Sequence, residues 1–371
     1  MIAEMIKSDD NAKTLVMQHD THSNTPILYL VLPAFNEEEV IEKTLDVLSN
    51  KLCALIAEGI IAIQSSIVII DDGSRDRTWD IIKNKAKINA QPLQSINNYD
   101  IQLNNSSINS TKINIQSPHI VALKLSRNFG HQNALLAGLH YATNKCDCSI
   151  SMDCDLQQDE EKIFEFIEKF NHGSDIVMGV RNDRQGDSGF KKYSALGFYW
   201  LMQSLGVKIV RNHADFRLLS NKALQHLASY TEFHFFLRAL VLDMGFKQDV
   251  VYFDVKPRFA GSSKYSLSKM LAFAWNGITS FSIKPLRIVS TLGAMIFLLS
   301  IFFGLYALYV KFFTNNAVYG WASTLILLCF FSGLQLLSLG IIGEYIGKMY
   351  QEVKARPKYC IDEILDSKRI E

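Results

Sequence analysis

Between Ile27 and Val180 the chain alternates short apolar runs with segments whose apolar residues recur at helical spacing. The runs "ILYLVL", "SIVII", "HIVALKL", "CSISM" and "DIVMGV" read as strands, while Val40, Ile41, Leu45, Leu48 and Leu52 share one helical face. Such alternation predicts an α/β unit built on a mostly parallel sheet covered by helices. Ligands of these sheets bind beyond the carboxyl ends of the strands. Polar residues gather at those ends here: Asn36 and Glu37, Asp71 and Asp72, Arg127 and Asn128, and Asp153 and Asp155, after the first four runs in turn.

One stretch breaks the rhythm. Residues 88–119 are rich in Asn, Ser, Gln and Ile without a clear period, and are expected to be a low-complexity surface insertion in a unit spanning 26–265. Beyond Val180 the pattern predicts a helix at "HFFLRALVLDMG" and a strand at "DVVYFDV", followed by "PRFAGSSKYS". Residues 266–287 mix Leu, Phe and Trp with Lys, which suits helices in a membrane interface or helices packed on the soluble unit.

From Ile288 to Val310 and from Ala322 to Ile342 there is no Asp, Glu, Lys or Arg. Each run is long enough to cross about 30 Å of hydrocarbon, so 288–342 reads as a transmembrane hairpin with spans 288–310 and 322–342. Lys284 and Arg287 precede the hairpin, Lys348, Lys354, Arg356 and Lys358 follow it, and Lys311 lies between the spans. This bias predicts a multi-pass protein with both termini in the cytoplasm, residues 343–371 forming a cytoplasmic tail. Residues 1–25 have no apolar signal region and are expected to be a mobile arm.

A formal charge of +1 argues against a nucleic-acid partner. Among the six cysteines, Cys146, Cys148 and Cys154 cluster near a strand, but no second C-x-x-C pair accompanies them, and reduced thiols are the expectation. The sharper chemical signal is "SMDCDLQQ". In an extended segment Asp153 and Asp155 would present carboxylates on one face, with Gln157 next, a set of hard oxygens suited to Mg²⁺ or Mn²⁺ together with substrate phosphates. Asp71 and Asp72 could bond a base or ribose, or Asp72 and Ser74 could cap the next helix. "NEEE" resembles a capping box between Asn36 and Glu39.

Taken in order, "VLPAFNEEEVI", "VIIDDGSRDRT", "LSRNFGHQNALLAGLHYA", "MDCDLQ", "ADFRLLS", "FLRAL", "RFAGSSKYS" and "EYIGKMYQEVKARPKY" closely resemble the polyisoprenyl-phosphate glycosyltransferases of glycosyltransferase family 2. The resemblance runs from Ile27 to Tyr359 apart from the Asn-rich insertion. It implies a GT-A fold, a nucleotide-sugar donor bound around Pro33, Ala34, Asn36, Glu37, Asp71, Asp72 and Asp153, and a divalent metal at Asp155 and Gln157 assisted by Asp153. A lipid phosphate would be the acceptor, with a homo-oligomer left open. In this chain "DLQQDEE" stands where relatives usually have Asp-Pro-Pro after "DLQ", so Gln158 replaces an Asp and the turn lacks its prolines.

The implied reaction is inverting transfer of a sugar, with UDP-glucose the favoured donor, to a polyprenyl phosphate such as undecaprenyl phosphate. A phosphate acceptor is already anionic, so the site needs cations more than a base. Arg181, Arg217, Arg258 and Lys264 are the candidates, Arg181 and Lys264 foremost, with Asp215 orienting the sugar or a cation and His131 structural. A processive polysaccharide synthase would share the acidic motifs but usually carries Gln-x-x-Arg-Trp and more spans. A silent membrane scaffold or flippase partner would have no use for the clustered carboxylates.

Overall fold

Strands that are apolar on both faces are stable only between two covering layers. The computed structural model describes residues 25–90, 118–182, 213–232, 237–256, 284–313 and 320–366. In it, β1 (Leu28–Ala34), β2 (Ser66–Asp71), β3 (His119–Leu125) and β4 (Cys148–Ser151) lie parallel. Next come β5 (Ile176–Arg181), β6 (His213–Ser220) and β7 (Gln248–Phe253), with β6 antiparallel to both β4 and β5 and β7 parallel to β5. With β8 (Ile361–Asp366) the order across the sheet is β7-β5-β6-β4-β1-β2-β3-β8. This is the mostly parallel α/β sheet of the expected GT-A class.

One face packs Leu30, Leu32, Ile67 and Ile69 against α1 (Ile41–Ala57), α2 (Thr78–Ala90) and α4 (Ile163–Asn171). The opposite face packs Val31, Val68, Ile70 and Leu123 against α3 (His131–Ala142), α5 (Asn221–Ala228) and α6 (Leu237–Asp243). Each fully buried Leu or Ile side chain contributes about 1.5–3 kcal/mol, so the two layers hold the strand ends firmly in register. Helix α3 comes closest at Gly138, where a Cβ would stand 2.4 Å from Ile70 Cδ1 and 2.5 Å from Val31 Cγ1.

Two long helices follow, α7 (Lys284–Phe313) and α8 (Trp321–Lys354). Both contain windows long and apolar enough to cross a membrane, and neither window is buried against protein. Phe297, Phe302, Leu328 and Leu336 are each more than half exposed. Helices with such surfaces require an apolar surrounding. The expected interfacial segment lies largely outside the described residues, as do residues 1–24, 91–117 and 314–319.

The segment read as a tail is partly structured. Helix α8 ends at Ala355, which takes a left-handed conformation (φ 44°), and Ile361–Asp366 then pairs antiparallel with β3. Lys83 and Glu363 form an ion pair at 3.1 Å, His119 Nε2 and Asp366 Oδ1 stand 2.5 Å apart, and His140 Nδ1 and Tyr359 Oη 2.8 Å apart. In "IDEILD" apolar and polar residues do not alternate, and three acids in six residues disguise a strand that only an existing sheet edge could recruit.

Candidate active site

The loops after β1 and β2 are laced together. Asn36 has φ 53°, its backbone N–H donates to Ser74 Oγ (3.0 Å), and its Oδ1 accepts from Arg75 N (2.9 Å). Glu37 N donates to Thr78 Oγ1 at 2.9 Å, and Arg77 N to Glu38 Oε2 at 3.1 Å. These bonds replace the capping box expected between Asn36 and Glu39. Helix α1 starts only at Ile41, after a turn closed by Glu37 O, and its cap residue Val40 has no side-chain cap bond. Neither Asp72 nor Ser74 caps α2: Asp76 Oδ1 accepts from Thr78 N at 3.0 Å.

Asp71 and Asp72 have separate tasks. Asp72 is 1% exposed and accepts from Phe129 N (2.7 Å) and Gly130 N (2.9 Å), fastening the start of α3 to the end of β2. Both Asp72 oxygens thus serve the backbone, and each keeps acceptor capacity for the donor contact expected of it. Gly73 makes this approach possible: at φ 67° a Cβ would fall 2.5 Å from the Arg127 carbonyl carbon. Asp71 is fully buried, accepts from Ser74 N at 3.3 Å through Oδ2, and has no partner on Oδ1. Burial raises both carboxyls from the ordinary aspartate value. An orphaned buried carboxylate oxygen is rare in a finished core and fits a site that awaits a donor group.

At β4 the expectation of an extended Asp-x-Asp is corrected. The strand ends at Ser151, the chain turns, and Leu156 takes φ 55°. Asp155 Oδ1 accepts from Gln157 N at 3.1 Å. Gln158, the residue that departs from the family pattern, is 1% exposed and grips Asp153 twice: Asp153 N donates to its Oε1 (3.2 Å), and its Nε2 donates to Asp153 Oδ2 (2.9 Å). Lys256 N holds Gln157 O at 3.0 Å, and Lys256 Nζ pairs with Asp159 and Glu160 at 2.9 and 2.6 Å. The turn without prolines is thus braced by side chains.

A second carboxylate centre arises from the register Ser151↔Arg217, which brings Asp215 to the site end of antiparallel β6. Asp215 and Arg217 point to the same face of the strand and form an ion pair. Arg238 on α6 closes a two-point fork on Asp215, Nε to Oδ1 at 3.1 Å and Nη2 to Oδ2 at 2.7 Å. His131 Nε2 stands 3.6 Å from Asp153 Oδ1 and 3.7 Å from Asp215 Oδ2, linking the two centres. Burial works against the His131 cation, but Asp215 and Asp153 prevail and raise its pKa above the usual value. Burial likewise works against the Asp215 anion, yet His131, Arg217 and Arg238 hold it well below the aspartate range. Asp153 is raised, by burial first and with Asp215 and Asp155 adding to it.

Several expected roles change. Arg217 was expected at the acceptor phosphate, but it is wholly buried beneath Asp215, with Nε and Nη1 lacking partners, and burial lowers it to about 10. His131, read as structural, lines the site. Arg238 was missed, because nothing in "FLRAL" distinguishes its Arg before the β4–β6 register is known. Pro33 and Ala34 are buried, and Ala34 O receives Asp72 N at 2.9 Å, so they shape the strand end through backbone. Arg181 ends β5, partly exposed. Arg258 and Lys264 lie outside the described residues. The cysteines Cys53, Cys146, Cys148, Cys154 and Cys360 are free thiols.

Among the described residues no three or more His, Cys, Asp or Glu side chains converge as a complete metal site. The oxygen set of Asp153, Asp155 and Gln157 fits a divalent cation of the Mg²⁺ type, which ordinarily takes one or two protein carboxylates and completes its shell with phosphates and water.

The Glycosyl transferase family 2 model matches residues 29–228. The uncharacterized glycosyltransferase YkoT of Bacillus subtilis is 46% identical over 337 residues, covering 91% of each chain. The prophage bactoprenol glucosyl transferase homolog of Escherichia coli is 34% identical, covering 90% of this chain and 98% of its own. The bactoprenol glucosyl transferase of Shigella phage SfX is 34% identical, covering 90% and 97%.

Proposed function

The chain belongs to glycosyl transferase family 2, and from that premise we propose that it transfers glucose from UDP-glucose to a polyprenyl phosphate at the cytoplasmic face of a membrane. It is a glycosyltransferase. The lipid acceptor and glucose are supported by relatives whose names carry bactoprenol and glucosyl transfer and which match about nine-tenths of this chain.

One observation in the fold carries the reading furthest. The chain leaves the sheet toward the apolar helices after Phe253, at the carboxyl end of β7, and returns through Cys360, whose carbonyl accepts from Ser126 N at 3.0 Å just beyond the carboxyl end of β3. Both connections to the hairpin therefore start from the edge of the sheet that bears Asp71, Asp153 and Asp215. A site so placed serves an acceptor whose phosphate stays at a membrane surface.

In this reading α7 and α8 span the membrane with both termini cytoplasmic, and residues 26–265 form the catalytic unit. Asn36, Glu37 and Asp71 meet the nucleoside, the orphaned Asp71 Oδ1 taking one of its donors. Asp153, Asp155 and Gln157 would hold Mg²⁺ or Mn²⁺, which when bound neutralises charge on the departing diphosphate. An acceptor phosphate oxygen attacks the anomeric carbon, the bond to the diphosphate breaks, and UDP leaves with the electron pair. The acceptor needs no deprotonation, so the chain's part is to hold two anions together: Arg181, with Arg258 and Lys264, supplies the positive charge.

The test is incubation of purified protein in lipid with undecaprenyl phosphate and a panel of nucleotide sugars, followed by analysis of the lipid product. Glucosyl polyprenyl phosphate from UDP-glucose is expected. A polymer would identify a processive synthase, absence of both transfer and donor hydrolysis a scaffold, and preference for another sugar would correct the donor.

A further inference from the structure

Gln158 is buried, and both ends of its amide are turned onto one residue, five positions earlier in the chain. We propose that Gln158 is a positioning residue for the divalent cation: it locks the Asp153 carboxylate in the orientation that receives the metal, an inference that rests on the transfer reading above.

The polarity of the contact leaves one arrangement. A backbone N–H can only donate, so Asp153 N meets Oε1 of the amide (3.2 Å), and the donor end is left for Asp153 Oδ2 (2.9 Å). A carboxylate otherwise turns readily about its terminal torsion, whose wells are broad. With Oδ2 held by Nε2 and the main chain of the same residue held by Oε1, that torsion is fixed. Oδ1 is fixed with it, 3.6 Å from His131 Nε2 at the start of α3. The alternatives fail in different ways. A carboxylate at position 158 would accept from Asp153 N but set two anions against each other, and an apolar side chain would leave the Asp153 N–H and Oδ2 without these partners.

The path of the turn is secured by other bonds. Thr44 Oγ1 on α1 donates to Cys154 O at 2.7 Å, Cys154 Sγ to Pro33 O at 3.1 Å, and Lys256 N to Gln157 O at 3.0 Å. These tie the chain on both sides of Leu156 to α1, to β1 and to the segment after β7, and none of the three touches the Asp153 carboxylate. What Gln158 adds is therefore the direction of one side chain.

Direction matters most for a cation that takes few protein oxygens and completes its shell with phosphates and water. Hydrogen bonds that orient a metal-binding group are typically worth about ten- to a hundredfold in metal affinity.

The experiment uses the full chain in nanodiscs and reads Mn²⁺ binding in the presence of UDP by electron paramagnetic resonance, a measurement in which no sugar is transferred. Gln158→Met keeps the volume and loses both bonds, while Gln158→Asn keeps the amide one methylene short of Asp153. Both should weaken Mn²⁺ binding at least about tenfold, and kcat should fall while KM for undecaprenyl phosphate stays within about twofold of wild type. In an Asp153→Asn background, Gln158→Met should leave Mn²⁺ affinity nearly unchanged, because the carboxylate it aims is gone. A general loosening of the turn would instead weaken binding by the same factor in both backgrounds. Should Gln158→Met fail to fold, Gln158→Asn carries the same comparison. Mn²⁺ affinity equal to wild type in the folded variants would overturn the inference, as would an equal loss with and without the Asp153 carboxylate. Wild type that binds no Mn²⁺ beside UDP would overturn it together with the metal assignment. Wild type that binds Mn²⁺ in this Gln158-dependent way yet transfers no sugar would overturn the transfer reading and leave Gln158 as a metal-positioning residue.

Discussion

Asp155 and Asp215 show two ways in which a carboxylate can matter. Asp155 Oδ1 receives Gln157 N, a bond that asparagine would preserve, so Asp155→Asn should fold normally. Its transfer rate should fall at least about a hundredfold, on the order of 3 kcal/mol in the barrier, if the lost charge is a metal ligand. Chelator should silence wild type in the same way, with Mg²⁺ or Mn²⁺ restoring it, and full activity in chelator would refute the assignment. Asp215→Asn should instead unfold more readily by about 3–5 kcal/mol, because Arg217 is left buried without a counter-charge. Since Asp215 is depressed in the fold, its stabilisation is present above about pH 4 and lost as pH falls through the folded value. Melting curves of wild type and Asp215→Asn should therefore differ most near neutrality and converge only in strong acid; a constant difference at every pH would refute the pairing. Asp153 and Asp155 were legible in the sequence because they adjoin a strand end. Arg238 was not, since its partner lies 23 residues away and meets it only through the packing of α6 on β6.

At the scale of elements, continuous apolar runs announced the central strands, whose burial on both faces leaves no other reading. Local signals failed where two loops decide together: Asn36 looked like a helix cap but is bonded to the Ser74–Arg75 turn. They failed again at β8, an edge strand whose outward Ile364 is 51% exposed. Deleting Ile361–Asp366 should cost several kcal/mol, at about 1 kcal/mol per ladder hydrogen bond, and uncover the β3 edge to strand pairing between copies. Size-exclusion chromatography in detergent should show association in the deletion, whereas Ile364→Lys should remain as stable as wild type. Equal behaviour of deletion and wild type would mean that β8 contributes nothing to the sheet.

For the whole molecule, apolar length marked the two long helices, but the fold was needed to show which edge of the sheet they attach to. The same topology bears on the insertion. It connects Ala90 at the end of α2 to the amino end of β3, the edge away from Asp71 and Asp153. Replacing residues 91–117 with a short Gly-Ser linker should therefore leave kcat and both KM values within about twofold of wild type, since loop length enters stability only logarithmically. A collapse of activity would show that the insertion reaches the site.

The antiparallel pairing of β8 with β3 has a consequence in time. During synthesis β1 to β7 leave the ribosome before either apolar helix, and β8 leaves after both. The sheet thus waits with the β3 edge open until both apolar helices have been made. Pairing of β8 is the last step in completing it, and a chain cut short before Ile361 keeps an open edge for chaperones and proteases to find.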